Sequence, residues 1–192
     1  MKPHIQVILG TTRTGRRGEN VANAVMNSLE KIDSATFELI DLKKWELPFY
    51  DFPDYPSSEK GKYLSDIQEK WAKKIDKGDG YIVITPEYNH SPPASLKNAL
   101  DYLWYEWNHK PIGFISYGGA VGGSRAVEQL RQIVIEFEMV PIRNQVIITN
   151  VSKKIENDKI SDDSLNSRVI DFANKLVVWS ENLIDARKAL SY

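Results

Sequence analysis

The sequence predicts an α/β domain built on a doubly wound, five-stranded parallel sheet. Two observations support this fold class: strand-like segments alternate with helical segments along the chain, and three of the strands are unbroken apolar runs. Such alternation is typical of parallel sheets, and strands covered by helices on both faces are apolar throughout. We predict one domain over residues 1–192, because this length suits a single domain and no repeat or low-complexity linker marks a boundary.

The first half of the chain predicts two strands and two helices. Residues 4–9 form an apolar run that is too short for a signal-peptide core, so we interpret it as the first strand. A helix with apolar side chains at a spacing of four follows over residues 19–31. Residues 36–41 alternate like a strand, and residues 62–77 form a helix that ends at two glycines.

The second half of the chain predicts three strands and three helices. The first of these helices has two start signals, Ser91 as the N-cap and Pro92 in the first turn. The predicted strands are 81–85, 112–116 and 145–149, and the predicted helices are 92–107, 123–138 and 163–190.

The composition excludes several classes of function. The net charge is -1, from 25 basic and 26 acidic residues, whereas a nucleic-acid-binding protein usually has a basic excess. The chain has no cysteine, which excludes disulfides, thiolate metal sites and a cysteine nucleophile, and which fits a reducing cytoplasm. No apolar run approaches the roughly 20 residues of a membrane span. We therefore expect a cytoplasmic protein that binds neither nucleic acid nor membranes.

Residues 10–19 (GTTRTGRRGE) follow the first strand and open the first helix. Ligands of doubly wound sheets bind at the carboxyl ends of strands, so this loop is a candidate site. Its glycines let backbone N–H groups turn toward an anion, and Thr11, Arg13 and Arg16 add hydroxyl and charged donors. The helix N-terminus adds partial positive charge. We interpret the loop as a phosphate cradle; the alternative is a solvated basic turn.

Residues 85–93 (TPEYNHSPP) follow the third strand as a stiff, proline-rich loop. Here Tyr88 is placed to line a planar ligand and Asn89 to hydrogen-bond a polyol; the alternative is an ordinary turn in which Ser91 only caps a helix. We interpret His90 and Glu87 as solvated loop residues rather than as an acid or base. The three histidines are too scattered to predict a metal site.

The fourth strand is followed by residues 116–125 (SYGGAVGGSR), which contain four glycines within six positions. Such a loop allows close approach of its backbone N–H groups to the edge of a ligand. A flexible turn is the alternative. We favour a binding role, because the loop lies at the same predicted edge of the sheet as the two preceding loops.

These loops resemble those of the NAD(P)H-dependent FMN reductases, a flavodoxin-like family that includes small quinone reductases and azoreductases. Residues 10–13 (GTTR) resemble the family's Gly-Ser-x-Arg phosphate loop, with Thr in place of Ser. Residues 85–89 (TPEYN) resemble its Pro-Glu-Tyr-Asn flavin loop, the most specific element, and residues 116–119 (SYGG) resemble its glycine-rich loop. A Leu-Pro segment at residues 47–51 adds to the match, which runs from about residue 4 to residue 150.

This resemblance implies a flavodoxin-like sheet of strand order 2-1-3-4-5 that holds FMN. It implies an oxidoreductase that passes electrons from NADPH or NADH through FMN to a small acceptor, such as a quinone, flavin or azo compound, by a ping-pong mechanism. It also implies a homodimer or dimer of dimers, with residues 94–107 and 163–190 as candidate interfaces. The implied cofactor-binding residues are Thr11, Arg13, Arg16, Pro86, Glu87, Tyr88, Asn89, Ser91, Tyr117, Gly118 and Gly119.

One position departs from the family pattern. Many members have Ser or Thr at the start of the first helix, where it completes the phosphate cradle, whereas this chain has Gly18 followed by Glu19. Backbone N–H groups, Arg16 or Arg17 must therefore replace that hydroxyl.

Two alternatives to an enzyme stay open. A flavodoxin-type electron carrier would also bind FMN, but such carriers are usually strongly acidic, and the net charge of -1 argues against one. A flavin-binding regulatory module with little turnover is compatible with the same loops. The acceptor, the preference between NADPH and NADH, and any catalytic side chain are not decided by the sequence.

Overall fold

A computed structural model describes residues 2–58, 60–157 and 159–190. The remaining five positions of the predicted 1–192 domain lie outside the described residues. The strands are β1 (His4–Leu9), β2 (Thr36–Asp41), β3 (Gly80–Pro86), β4 (Pro111–Tyr117), β5 (Val140–Ile148), β6 (Ile155–Glu156) and β7 (Lys159–Ile160).

The first five strands form one sheet in the order β2-β1-β3-β4-β5, and each neighbouring pair is parallel. This arrangement confirms the predicted strand order and the flavodoxin-like fold class. The remaining strands, β6 and β7, form a separate antiparallel pair that the sequence did not predict.

Helices cover both faces of the sheet, which is the doubly wound arrangement. One hydrophobic core contains Val25 and Leu176 from one pair of helices, and the other contains Trp71, Leu100 and Leu130 from the remaining three. All five side chains are fully buried. The helices are α1 (Gly18–Leu29), α2 (Asp66–Ile75), α3 (Ala94–Asp101), α4 (Ser124–Glu136) and α5 (Leu165–Leu190), of which α1 and α5 share the first face.

Helix α3 differs most from its prediction. The helix is eight residues long, and its N-cap position is Pro93, so the prediction that Ser91 caps it is wrong. The Ser91 hydroxyl instead donates to the Gln129 side chain at 2.8 Å. The chain leaves the helix after Asp101 because Trp107 turns into the core, where its indole N–H donates to a backbone carbonyl oxygen in α3.

Two other boundaries differ for local reasons. Helix α2 begins four residues later than predicted, where the Ser65 hydroxyl accepts a hydrogen bond from the Gln68 N–H at 3.3 Å. Strand β5 begins five residues earlier than predicted, with Pro141 on the sheet edge, where a missing N–H is tolerated. None of the described helices is both long and apolar enough to cross a membrane.

Candidate active site

The loops after β1, β3 and β4 meet at the carboxyl edge of the sheet, where they line a cleft of about 280 Å³. The turn after β5 closes its remaining side with Val151 and Ser152, which sequence reasoning missed although that strand ends at the same edge. The lining residues are Arg13, Arg16, Arg17, Pro86, Glu87, Tyr88, Tyr117, Gly118, Gly119, Val151 and Ser152.

Three predicted site residues do not line this cleft: Thr11, Asn89 and Ser91. Thr11 is fully buried, and its hydroxyl oxygen lies 2.7 Å from the Tyr88 hydroxyl. That hydrogen bond connects the loop after β1 to the loop after β3. A buried side chain that links two loops fixes their relative position, so Thr11 shapes the cleft from behind it.

The two arginines at positions 13 and 16 have opposite environments. Arg16 is buried, and its guanidinium donates to both carboxylate oxygens of Asp41, at 2.7 and 2.6 Å. It also donates to Glu19 at 2.9–3.0 Å and to the Thr11 carbonyl oxygen. Arg13 is exposed, and its guanidinium donates to the Thr14 carbonyl oxygen at 3.4 Å. The prediction that Arg16 binds a phosphate directly is therefore not supported by this geometry.

The Arg16–Asp41 ion pair also shifts the pKa values of both groups. Burial raises the pKa of the Asp41 carboxyl, but the hydrogen bonds and the positive charge of Arg16 outweigh it, so the net pKa lies below its usual value. The pKa of Arg16 is raised, first by its hydrogen bond to Asp41. Both groups are thus charged at neutral pH, and together they hold the loop after β1 against the end of β2.

The loop after β3 makes a tight turn over Tyr88–Ser91. The N–H of each of these two residues donates to the carbonyl oxygen of the other, at 2.9 and 3.0 Å. The central residues, Asn89 and His90, have φ angles of 50° and 71°, the left-handed values that a type I′ turn needs. Both central side chains are exposed, so His90 has the solvated position that the sequence predicts.

Glu87 is not the solvated loop charge that the sequence predicts. Its side chain is 8% exposed, and its carboxylate accepts hydrogen bonds from the Arg125 side chain at 2.6 Å and the Arg125 N–H at 3.2 Å. Helix α4 has Gly123 at its N-cap and no side-chain cap of its own. Glu87 therefore supplies a capping carboxylate from another loop and ties the loops after β3 and β4 together.

The loop after β4 runs back against the end of β5. The Gly118 N–H donates to the Ile148 carbonyl oxygen at 3.2 Å, and the Gly119 carbonyl oxygen accepts from the Asn150 N–H at 2.8 Å. At the far end of the loop Gly123 has a φ of 83°, which other L-residues rarely adopt. These bonds hold the backbone of residues 118–119 along one side of the cleft.

The donors around the cleft fit a phosphate monoester. The N-terminus of α1 begins at its edge, and Arg13 and Arg17 are exposed beside it. The Tyr117 side chain is buried, yet its hydroxyl has no hydrogen-bond partner among the described residues. A helix N-terminus with nearby cations and a free hydroxyl is suited to an anion. No group of three His, Asp or Glu side chains in the described ranges is placed to hold a metal ion.

A sequence model of the NADPH-dependent FMN reductases matches residues 3–153. The chain belongs to the NADPH-dependent FMN reductase family. Its relatives include an NAD(P)H-dependent FMN reductase of Schizosaccharomyces pombe, 38% identical over 131 residues; the match covers 68% of this chain and 65% of that protein. A quinone reductase of Escherichia coli is 34% identical over 140 residues, 70% of each chain.

Among solved structures, the chain is similar to FerB, a flavoenzyme NAD(P)H:(acceptor) oxidoreductase from Paracoccus denitrificans. The TM-score is 0.73 at 21% identity, and the superposition covers 94% of this chain and 98% of that one. At this identity the likeness concerns the fold. The sequence match confirms the predicted family, whose members are oxidoreductases that use FMN and NAD(P)H.

Proposed function

We propose that this FMN reductase family member passes electrons from NAD(P)H through bound FMN to a small acceptor, by a ping-pong mechanism. The observation that carries the proposal is the cleft at the carboxyl edge of the sheet. A helix N-terminus, two exposed arginines and the Tyr117 hydroxyl, which has no partner among the described residues, converge there. When bound, FMN would supply the hydride and electron chemistry that links the nicotinamide to the acceptor. The protein binds and orients both partners.

We assign the two ends of FMN to different loops. Arg13 and the backbone at the start of α1 hold the phosphate, because they are the exposed donors beside the helix N-terminus. Pro86 to Tyr88 line the ribityl chain and the ring, and the backbone of residues 117–119 borders the other side. Arg16 contributes indirectly, because its guanidinium is bonded to Asp41 and holds the loop after β1 in place.

We propose the ping-pong order on the family resemblance. A nicotinamide would use the exposed face of the bound flavin and leave, and an acceptor would then take the same place. We propose no side-chain acid or base, because the nearest candidate, His90, points into solvent and has a solvated loop position.

An anaerobic titration tests this function. The protein is loaded with FMN, its spectrum is followed from about 350 to 500 nm, and NADPH or NADH is added. We expect the flavin band to bleach at a catalytic rate, to return when 1,4-benzoquinone is added, and to give parallel double-reciprocal plots. Bound flavin that neither nucleotide reduces would favour the electron carrier or the regulatory module instead. Intersecting plots would retain the reductase and exclude the ping-pong order.

We also propose that the chain forms a homodimer, as its family resemblance implies. An aromatic hollow of about 550 Å³ lies beside α3, and its lining includes Phe49, Tyr55 and Trp104. Phe49 and Tyr55 are 78% and 81% exposed, which is a large apolar surface for a monomer. Sedimentation velocity tests this: we expect a dimer for the wild type and a monomer for Phe49→Asp. A wild-type monomer would contradict the proposal.

The absence of cysteine supports a reducing, cytoplasmic location, which we propose on that ground. Fractionation of the host cell, followed by detection of the tagged chain, tests it. Recovery with the membrane or secreted fraction would contradict it.

A further inference from the structure

Tyr117 is the last residue of β4 and lines the cleft. Its side chain is 4% exposed. Its hydroxyl has no hydrogen-bond partner among the described residues, whereas the Tyr88 hydroxyl nearby is bonded to Thr11. The hydroxyl oxygen is not enclosed by the protein, so a ligand in the cleft can accept a hydrogen bond from it. Tyr117 therefore has a donor that the protein itself does not use.

The Tyr117 hydroxyl points at the first residue of α1. A Cβ atom built on Gly18 would lie 2.6 Å from the Tyr117 hydroxyl oxygen, closer than real Cβ contacts. The same atom would lie 2.8 Å from the Thr11 methyl and 2.9 Å from a Leu9 methyl. A Ser or Thr at position 18 would thus have to displace the tyrosine. The hydroxyl occupies the space where a side chain at the helix start would be.

We propose that the Tyr117 hydroxyl donates a hydrogen bond to the FMN phosphate at the N-terminus of α1. It takes the place of the helix-start Ser or Thr that the family resemblance leads one to expect at Gly18. The inference rests on the proposed function, because it needs the phosphate end of FMN to lie at this helix N-terminus.

The electrostatics of the site suit this role. Burial raises the pKa of the Tyr117 phenol, and the nearby Tyr88 raises it further, while Arg13 and Arg16 act in the opposite direction. The phenol therefore keeps its proton throughout the neutral range and is a donor. A phosphate monoester is an acceptor that carries negative charge at neutral pH, so the hydrogen bond is of the stronger, charge-assisted kind.

The test compares FMN with riboflavin, which has the same ring and ribityl chain but no phosphate. Binding of each to the apoprotein is titrated by flavin fluorescence for the wild type and for Tyr117→Phe. We expect Tyr117→Phe to weaken FMN binding about tenfold, the lower end for a hydrogen bond to a charged group. We expect riboflavin affinity to change less than about twofold, because riboflavin lacks the acceptor.

Tyr102→Phe is the matched control. Tyr102 is 1% exposed and donates to the Pro48 carbonyl oxygen at 2.8 Å, in the core on the opposite face of the sheet from Tyr117. Its loss should lower the urea midpoint of the apoprotein and leave FMN affinity unchanged. Tyr117→Phe should do the reverse, because it removes a hydroxyl that has no partner in the protein.

A second variant tests the contact between the Tyr117 hydroxyl and the start of α1 from the helix side. Gly18→Ala adds the Cβ that would collide with the hydroxyl, so it should also weaken FMN binding selectively. In the Tyr117→Phe background the same alanine should have a smaller effect on FMN affinity, because there is no hydroxyl to displace. Fully additive effects of the two changes would contradict the proposal.

The remaining outcomes are distinct. Equal losses of FMN and riboflavin affinity in Tyr117→Phe would place the hydroxyl near the ring. Unchanged affinities for both flavins would mean that the hydroxyl does not contribute to binding. Either outcome overturns the inference. A wild type that binds riboflavin as tightly as FMN would instead contradict the proposed position of the phosphate. If the wild type binds FMN more tightly than riboflavin and Tyr117→Phe keeps the same preference, the inference about Tyr117 is contradicted. The proposed position of the phosphate then stands.

Discussion

Charged and polar groups have different hydrogen-bonding environments at the two edges of the sheet. At the amino edge, Arg187 donates to Asp79 at 2.6 Å, and the buried Lys110 ammonium donates to the Asp76 carbonyl oxygen at 3.1 Å and the Tyr81 hydroxyl at 3.2 Å. At the carboxyl edge, Arg13 is exposed and the Tyr117 hydroxyl has no partner among the described residues. These donors of the amino edge are paired within the protein, whereas Arg13 and Tyr117 leave donors available at the carboxyl edge.

Parallel topology explains much of this difference. Every helix that follows a strand begins at the carboxyl edge, so the partial positive charges of the helix N-termini gather there. Helix C-termini gather at the amino edge, where their carbonyl groups accept from cations; Asp76, which Lys110 contacts, is the C-cap of α2. Exposed cations at the carboxyl edge, such as Arg13, lie beside helix N-termini instead and are available to bind an anion. An FMN phosphate would supply it.

The largest expected effect comes from Arg16, the buried arginine of the carboxyl edge. Arg16→Met leaves the Asp41 carboxylate, 14% exposed, without its partner. We expect the free energy of unfolding to fall by about 3 kcal/mol, because a buried charge loses its compensation. Urea unfolding of the apoprotein measures this. The control is Arg13→Met, which should change stability by less than about 0.5 kcal/mol; equal losses would erase the contrast between the two arginines.

The pH dependence of that pair has a definite sign. The pKa of Asp41 in the folded protein lies below its usual value, so its contribution to stability is present at neutral pH and is lost as the pH falls through the folded pKa. The stability gap between the wild type and Arg16→Met should therefore narrow in acid.

The next effect concerns binding rather than folding. Arg13→Ala should weaken FMN binding by about 1.5–3 kcal/mol, the scale of a hydrogen bond to a charged group, and should leave the unfolding curve of the apoprotein unchanged. Fluorescence titration with FMN measures the loss. Arg143→Ala, an exposed arginine that does not line the cleft, is the control. Unchanged FMN affinity in Arg13→Ala would remove Arg13 from the phosphate site.

The amino edge provides a third test. Burial lowers the pKa of Lys110 to about 8, although Asp76 opposes the shift. Between about pH 8 and 10.5 the unfolded chain binds more protons than the folded one, so stability should rise with pH relative to Lys110→Met. We expect a gain of about 2 kcal/mol from urea unfolding at pH 7 and pH 10. Lys73→Met, at a 70% exposed side chain, should show no such trend. If the stability difference between the wild type and Lys110→Met does not change with pH, burial does not disfavour the charged form of Lys110.

The smallest effect is expected for the bridge between two loops of the carboxyl edge. Glu87→Gln replaces the charge that caps α4 and pairs with Arg125, which is 48% exposed. We expect a loss of about 1 kcal/mol in the free energy of unfolding, because the cap keeps a neutral acceptor and solvent screens the arginine. Added salt should reduce the difference between wild type and variant; a loss that does not depend on salt would indicate a packing effect.

Much of the frame was predictable from local pattern. The apolar runs and the helical spacing predicted five alternating strands and helices. The structure confirms the sheet order 2-1-3-4-5, which the family resemblance implied. The chain direction of a parallel sheet then places the loops after β1, β3 and β4 at one edge. Helix ends were less predictable: α3 stops at Asp101 because Trp107 must enter the core, and no local signal at residue 101 reports that.

The partners of individual side chains were not predictable in the same way. Arg13 and Arg16 belong to one basic loop, yet only Arg16 meets Asp41, 25 residues away. Glu87 meets Arg125 across 38 residues. Such pairs depend on which strands are neighbours and on where each loop turns, which are properties of the assembled sheet.

The sequence by itself determined the fold class, the edge at which the loops meet and the family, because periodicity and short motifs are local features. Only the tertiary structure decided which arginine is left exposed, that Glu87 caps a distant helix, and that the Tyr117 hydroxyl fills the space above Gly18. The physical reason is that burial and hydrogen bonding depend on contacts between residues far apart in the chain, and local pattern carries no record of those contacts.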